Sequence, residues 1–153
     1  MHQWSRPRIS ICLAAISGIT AAIISTSAVS RPPPPPVGAT VEVSLVRQDQ
    51  SDCTNANVSG SNPALIGGTA WVVRQPDGNT SVKVGIVATP NTKYQFFLKC
   101  VKILGYITTE DEGSGEGLFT FPTNSVGSVY GFDMYPDGAP PGNKYQSVQV
   151  KFQ

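Results

Sequence analysis

Chemistry needs side chains that move protons, hold metals or attack carbon, and this chain distributes them unevenly. Its only histidine is His2, and its three cysteines are Cys12, Cys53 and Cys100. His2 and Cys12 fall in an N-terminal stretch that reads as a removable leader, so the rest has two cysteines and no histidine. Without histidine, neither a Ser-His-Asp triad nor a Cys-His pair can be built. The usual histidine-containing zinc sites are lost as well, and two cysteines are too few for a four-cysteine site. No glycine loop leads from a strand into a helix, as a phosphate cradle requires. Carboxylates and aromatic rings are what remain.

The densest acidic stretch is Glu110-Asp111-Glu112-Gly113-Ser114-Gly115-Glu116. Oxygen ligands on a glycine-rich loop suit calcium, with Glu110, Asp111, Glu112 and Glu116 as the candidate ligands. The spacing matches neither the EF-hand loop nor the glycine-rich nonapeptide repeat. The competing reading is a solvated hairpin loop with no cofactor. A two-carboxylate hydrolase would pair Asp133 or Asp137 with this loop, but nothing in the sequence sets their separation. Among the rings, Tyr106, Tyr135 and Tyr145 fall beside turns and, with Asp137, are the candidate ligand contacts. Flat exposed rings meet the C–H groups of sugars, although tyrosines beside turns also serve simply as packing. Trp71, Tyr94, Phe96, Phe119, Phe121 and Phe132 are assigned to the core by their parity. Asn57-Val58-Ser59 and Asn79-Thr80-Ser81 match the N-glycosylation sequon.

Strands must position these groups, because the text after the leader alternates with period two and shows no helical period. Val41, Val43 and Leu45 share a face of the first run. Residues 48–63 form a polar loop containing Cys53. Gly68 to Arg74 carries Trp71 and Val73 on one face, and Ser81 to Ala88 carries Val82, Val84 and Ile86. Between them Gln75-Pro76-Asp77-Gly78-Asn79 is a turn: proline presets φ and Asp-Gly tolerates positive φ. Tyr94, Phe96, Leu98 and Cys100 share a parity, which would place the cysteine on the apolar face. Short strands follow at Gly105–Thr109 and Leu118–Phe121, then Val126–Tyr135, a proline turn through Asn143, and Lys144–Phe152. About eight short strands with a turn roughly every dozen residues predict an all-β, antiparallel two-sheet sandwich.

The organisation around that domain is also legible. Arg6 and Arg8 precede Ile9 to Ile24, an uncharged apolar run of 16 residues, and small residues follow. That is the order of a signal peptide over 1–30, with Ala28 and Ser30 at the −3 and −1 positions. An uncleaved anchor is the alternative, although the run is shorter than the roughly 20 residues that span a bilayer. The position of Cys12 does not suit a lipoprotein signal, nor the separated arginines a twin-arginine one. Residues 31–38 hold five consecutive prolines, expected to form a stiff polyproline spacer. The domain then runs over 39–153. Over residues 31–153, which leaves out Arg6 and Arg8, nine basic residues face ten acidic ones, a net charge of −1. So balanced a domain has no electrostatic footprint for nucleic acid or anionic lipid, and membrane contact would come only through a retained leader. In an exported domain the pair Cys53 and Cys100 predicts a disulfide. Closing that loop of 48 residues is worth about 4 kcal/mol at the upper end.

The order Cys53, Trp71, Cys100 resembles that of immunoglobulin domains, but Leu98 stands where they carry a tyrosine before the second cysteine. The stretch from Tyr94 through Lys99-Cys100, Thr108-Thr109 and Gly115-Glu116-Gly117 is similar to uncharacterised bacterial exported immunoglobulin-like β-sandwich proteins. The resemblance implies a fold and an extracytoplasmic location, and no activity. The expectation from the whole sequence is a secreted or envelope-associated binding module without catalytic activity. Its partner would be a cell-envelope glycan or an extracellular protein. A purely structural envelope protein and a small carboxylate-based hydrolase are the alternatives.

Overall fold

A computed structural model describes residues 39–152, so the leader and proline spacer expected over 1–38 lie outside the described residues. The described chain is all-β. Its strands are β1 (Ala39–Arg47), β2 (Ile66–Arg74), β3 (Asn79–Val87), β4 (Lys93–Leu98), β5 (Lys102–Thr108) and β6 (Ser114–Pro122). They continue with β7 (Val129–Tyr130), β8 (Phe132–Pro136), β9 (Tyr145–Ser147) and β10 (Val150–Lys151). Short 3₁₀ turns at Pro63–Leu65 and Thr123–Ser125 lead into β2 and follow β6. Among the described residues no helix is long and apolar enough to cross a membrane.

Eight strands form one antiparallel ladder in the order β5-β4-β8-β9-β1-β2-β3-β6, and β7 pairs with β10 apart from it. The hydrogen bonding therefore runs on without the break that separates two sheets. The ladder curls until its ends approach, giving a nearly barrel-like form. Phe96 of β4 stacks on Phe119 of β6 at 5.0 Å, although the two strands are far apart in the ladder. At this seam a side chain on Gly117 would meet Phe119 at 2.7 Å and Ile107 at 2.9 Å. Glycine is there for close approach, as elsewhere where two backbones or a ring press together.

Alternation decides which side chains the curl encloses. Val82, Val84 and Ile86 of β3 face inward, as do Tyr94, Phe96 and Leu98 of β4 and Phe132 and Met134 of β8. Tyr94, Phe96, Phe121 and Phe132 are fully buried, and burying such a side chain is worth about 1.5–3 kcal/mol. Edge-on contacts among Phe121, Tyr130 and Phe132, with centroids 5.8–6.3 Å apart, bind the two sides of the core.

The structure corrects several expectations. Trp71 is on the outer face, not in the core. Ala70 and Val72 take the inner face of β2, and the indole lies over Gly85, 3.5 Å from where a Cβ would stand. Both parities of β2 are apolar, so alternation alone did not tell the faces apart. The expected loop over 110–117 is shorter, because β6 already begins at Ser114. The strand expected over 126–135 breaks at Gly131, where a Cβ would collide with the amide of Asn55. Cys53 and Cys100 do form a disulfide, with Cα atoms 5.5 Å apart, but both residues are exposed. β4 ends at Leu98, and Cys100 turns into the left-handed region at φ 57°, so the strand parity no longer applies to it.

That disulfide is one of two clamps on the polar loop between β1 and β2. The other is buried. Asn55, at φ 57° and with no exposed surface, donates through Nδ2 to the carbonyls of Phe132 (3.0 Å) and Ser147 (2.8 Å). Its Oδ1 accepts from Lys99 Nζ at 2.8 Å, and Lys99 also donates to Gln146 Oε1 at 2.5 Å. Burial lowers the pKa of Lys99, opposed by the charges of Asp133 and Asp52. A charge this sheltered is tolerated because both amide oxygens receive it.

Candidate functional site

Of the tyrosines singled out from the sequence, two meet on one exposed face. Gln95 on β4 is flanked across the ladder by Tyr106 of β5 on one side and Tyr135 of β8 on the other. Two inter-strand spacings put the tyrosines roughly 10 Å apart. Tyr106 is 54% exposed, and the Lys93 ammonium stands 4.0 Å from its ring centroid. Tyr135 is half-buried and stacks on Phe97 at 4.8 Å with the ring planes 19° apart. The Gln95 amide donates to the Asp137 carboxylate, which fixes both side chains at the end of β8. Burial, with the Asp133 charge behind it, raises the Tyr135 pKa and keeps its hydroxyl a donor. The face thus carries three rings (Tyr106, Tyr135 and Phe97), an amide, a carboxylate and a cation.

Strand alternation explains the arrangement. The odd-numbered residues Lys93, Gln95 and Phe97 point out while Tyr94, Phe96 and Leu98 point in. A bulge between Phe96 and Phe97 shifts the pairing with β5. Phe97 was missed in the sequence because its neighbour Phe96 satisfies the inward alternation. Two adjacent phenylalanines in a strand do, however, imply that one faces outward.

Tyr145 does not belong to this face. It is buried against Tyr94, centroids 6.1 Å apart, and its ring fills the space above Gly67. The turn before β9 delivers it inward, where burial, the largest effect, raises its pKa.

The acidic residues are placed apart. Glu110, Asp111 and Glu112 occupy an exposed tight turn closed by Gly113 N–H to Glu110 C=O (2.9 Å) and Glu110 N–H to Ser114 C=O (2.8 Å). Glu116 leaves that turn on β6 and stands 3.8 Å from Lys83. Among the described residues no three acidic, cysteine or histidine side chains group closely enough to share a metal ion. Asp133 is half-buried on β8, and burial raises its carboxyl pKa against the opposing charge of Lys99. Asp137 follows β8 in an exposed turn, bonded to Gln95.

No protein-family model matches the chain, and no curated protein matches it either. Fold and face together describe an all-β, disulfide-bonded domain that displays aromatic and polar side chains on one sheet surface.

Proposed function

We propose that the domain is an exported binding module without catalytic activity, and that its ligand is a glycan of the cell envelope laid across β5, β4 and β8. The observation that carries this reading is the row Tyr106, Gln95, Tyr135 on an exposed strand face. Two rings about 10 Å apart on adjacent strand spacings suit two sugar rings of an extended chain. Gln95, Asp137 and Lys93 supply hydrogen bonds to hydroxyl groups in between. An open face of this kind suits a polymer better than a small molecule, which prefers a concave pocket.

Export is part of the proposal. It is supported by the basic, apolar and small-residue order of residues 1–30 and by the disulfide. An immunoglobulin-like sandwich is likewise a proposal. Two curved halves of the sheet facing one core favour it, while the continuous ladder and the surface disulfide count against it.

Co-sedimentation of residues 31–153 with the host's envelope fraction tests the function. Saturable pelleting that soluble glycans compete away, and that weakens about two- to twelve-fold in Tyr106→Ala or Tyr135→Ala, is the expected result; stacking losses of about 0.5–1.5 kcal/mol give that order. Pelleting that glycans leave untouched would point to a protein partner and end the glycan reading. No pelleting at all would end both.

A further inference from the structure

The outer face of β1, β2, β3 and β6 carries apolar groups that the fold leaves uncovered. Leu118 of β6 is 74% exposed and Val87 of β3 is 66% exposed. On β2, between β3 and β1, Trp71 is partly exposed with its indole over Gly85. All three have the outward parity of their strands, opposite to Val72, Val84 and Phe121 in the core. Single exposed apolar residues are ordinary, but several gathered on one face mark a contact surface. Trp71 also belongs to a row of residues directly opposite one another across the ladder. Glu42 pairs with Trp71, Trp71 with Lys83, and Lys83 with Leu118. Each step is about 4.5–5.5 Å between Cβ atoms.

The charges of this row are balanced about the ring. Glu42 and Lys83 each stand one strand spacing from Trp71, on opposite sides. A two-fold axis roughly parallel to the strands and passing over Trp71 therefore sets each Glu42 against Lys83 of a second copy, and ring against ring. An isologous interface needs this reciprocity, in which residue i meets j and j meets i. Glu42 is exposed and forms no ion pair among the described residues. Lys83 stands 3.8 Å from Glu116, a loose pair that leaves room for a second carboxylate. The four strands are nine residues long each. They make a face of roughly 19 by 30 Å, about 570 Å² in projection. Side-chain relief raises that area towards the roughly 600–1,000 Å² per partner of a specific interface, at its low end.

We propose that this face is the interface of a reversible, two-fold symmetric dimer of the chain, with Trp71 at the axis and two Glu42–Lys83 pairs beside it. Sheets packed face to face lie about 10 Å apart, a gap that indole, lysine and glutamate side chains from both copies can fill. The apolar groups supply the burial, and the charge pairs fix the register. An area at the low end gives a dimer that dissociates at micromolar concentrations rather than a permanent one. The interface uses strands other than β5, β4 and β8. It leaves the tyrosine row open and does not depend on that reading.

The test is sedimentation equilibrium of residues 31–153 from about 5 µM to about 1 mM, the range a weak interface calls for. The mass should rise from one chain towards two. Trp71 is the only tryptophan in that stretch, so its emission should move to the blue over the same range. Glu42→Lys and Lys83→Glu each set like charges opposite each other across the axis, and each should weaken the dimer at least ten-fold. Both positions lie on the outer face, so circular dichroism of the variants should match the parent. The double swap, Glu42→Lys with Lys83→Glu, restores opposite charges and should recover the affinity to within about three-fold of the parent. A single-chain mass at 1 mM would overturn the proposal, and Trp71 emission that then moved on adding the envelope fraction would give this face to an envelope ligand instead. Unaltered affinity in either single reversal, or a double swap no tighter than the single ones, would overturn it as well.

Discussion

Replacing Asn55 with alanine should cost more stability than any other single change in the β1–β2 loop. The side chain has no exposed surface and makes three short bonds, to Phe132 C=O, to Ser147 C=O and from Lys99 Nζ, besides a long one to Ser147 Oγ at 3.4 Å. Losing the two neutral bonds costs about 1 kcal/mol each, and losing the one to the ammonium about 2. Alanine at φ 57° adds about 1 kcal/mol, since asparagine tolerates the left-handed region better. The sum is about 4–5 kcal/mol, a large share of the roughly 5–15 kcal/mol that holds a domain folded. Urea unfolding followed by circular dichroism, with the disulfide intact, is the assay. With a slope near 2 kcal/mol per molar, the midpoint should fall by about 2 M. Asn55→Gly removes the same bonds but avoids the backbone cost, so it should recover about 1 kcal/mol of the loss. Asn57→Ala, exposed and bonded only to Ser51 Oγ, should lie within about 0.5 kcal/mol of the parent. An Asn55→Ala midpoint within 0.5 M of the parent would refute the claim that this buried amide clamps the loop.

Two further outcomes follow from the same region. The Asp133 carboxyl pKa is raised by burial even with Lys99 pulling it down, so folding favours its protonated form. Its contribution is complete below the ordinary carboxyl pKa of 3.8 and is lost as pH rises through the folded-state value. Asp133→Asn should therefore gain stability relative to the parent between pH 3 and pH 7, read as melting midpoints; a constant difference would contradict it. For the disulfide, Cys53→Ser with Cys100→Ser should lower stability by about 2–4 kcal/mol without unfolding the domain, since Asn55 holds the loop independently. Unchanged stability, or free thiols titrating in the native parent, would show that the bridge contributes nothing.

The sequence by itself determined the class of fold and most of the core. Period-two alternation in Val82-Val84-Ile86 and Tyr94-Phe96-Leu98 names an inner face, because adjacent side chains in a strand must point opposite ways. The Cys53–Cys100 pairing and the turn at Asp77-Gly78 were likewise legible, the first from cysteine count and the second from backbone preference. The tertiary structure decided what alternation leaves open. Trp71 sits outside because both parities of β2 are apolar, so only the packing of Ala70 and Val72 against the curled sheet selects the face. Tyr106 and Tyr135 are 29 positions apart in sequence, and only the placement of β4 between β5 and β8 makes them flank one glutamine. The buried set Asn55, Lys99 and Gln146 came from three separate segments that look like ordinary polar surface, and no local pattern marks them. Strand pairing over long separations brings such groups together, and it is a property of the whole sheet rather than of any stretch of residues.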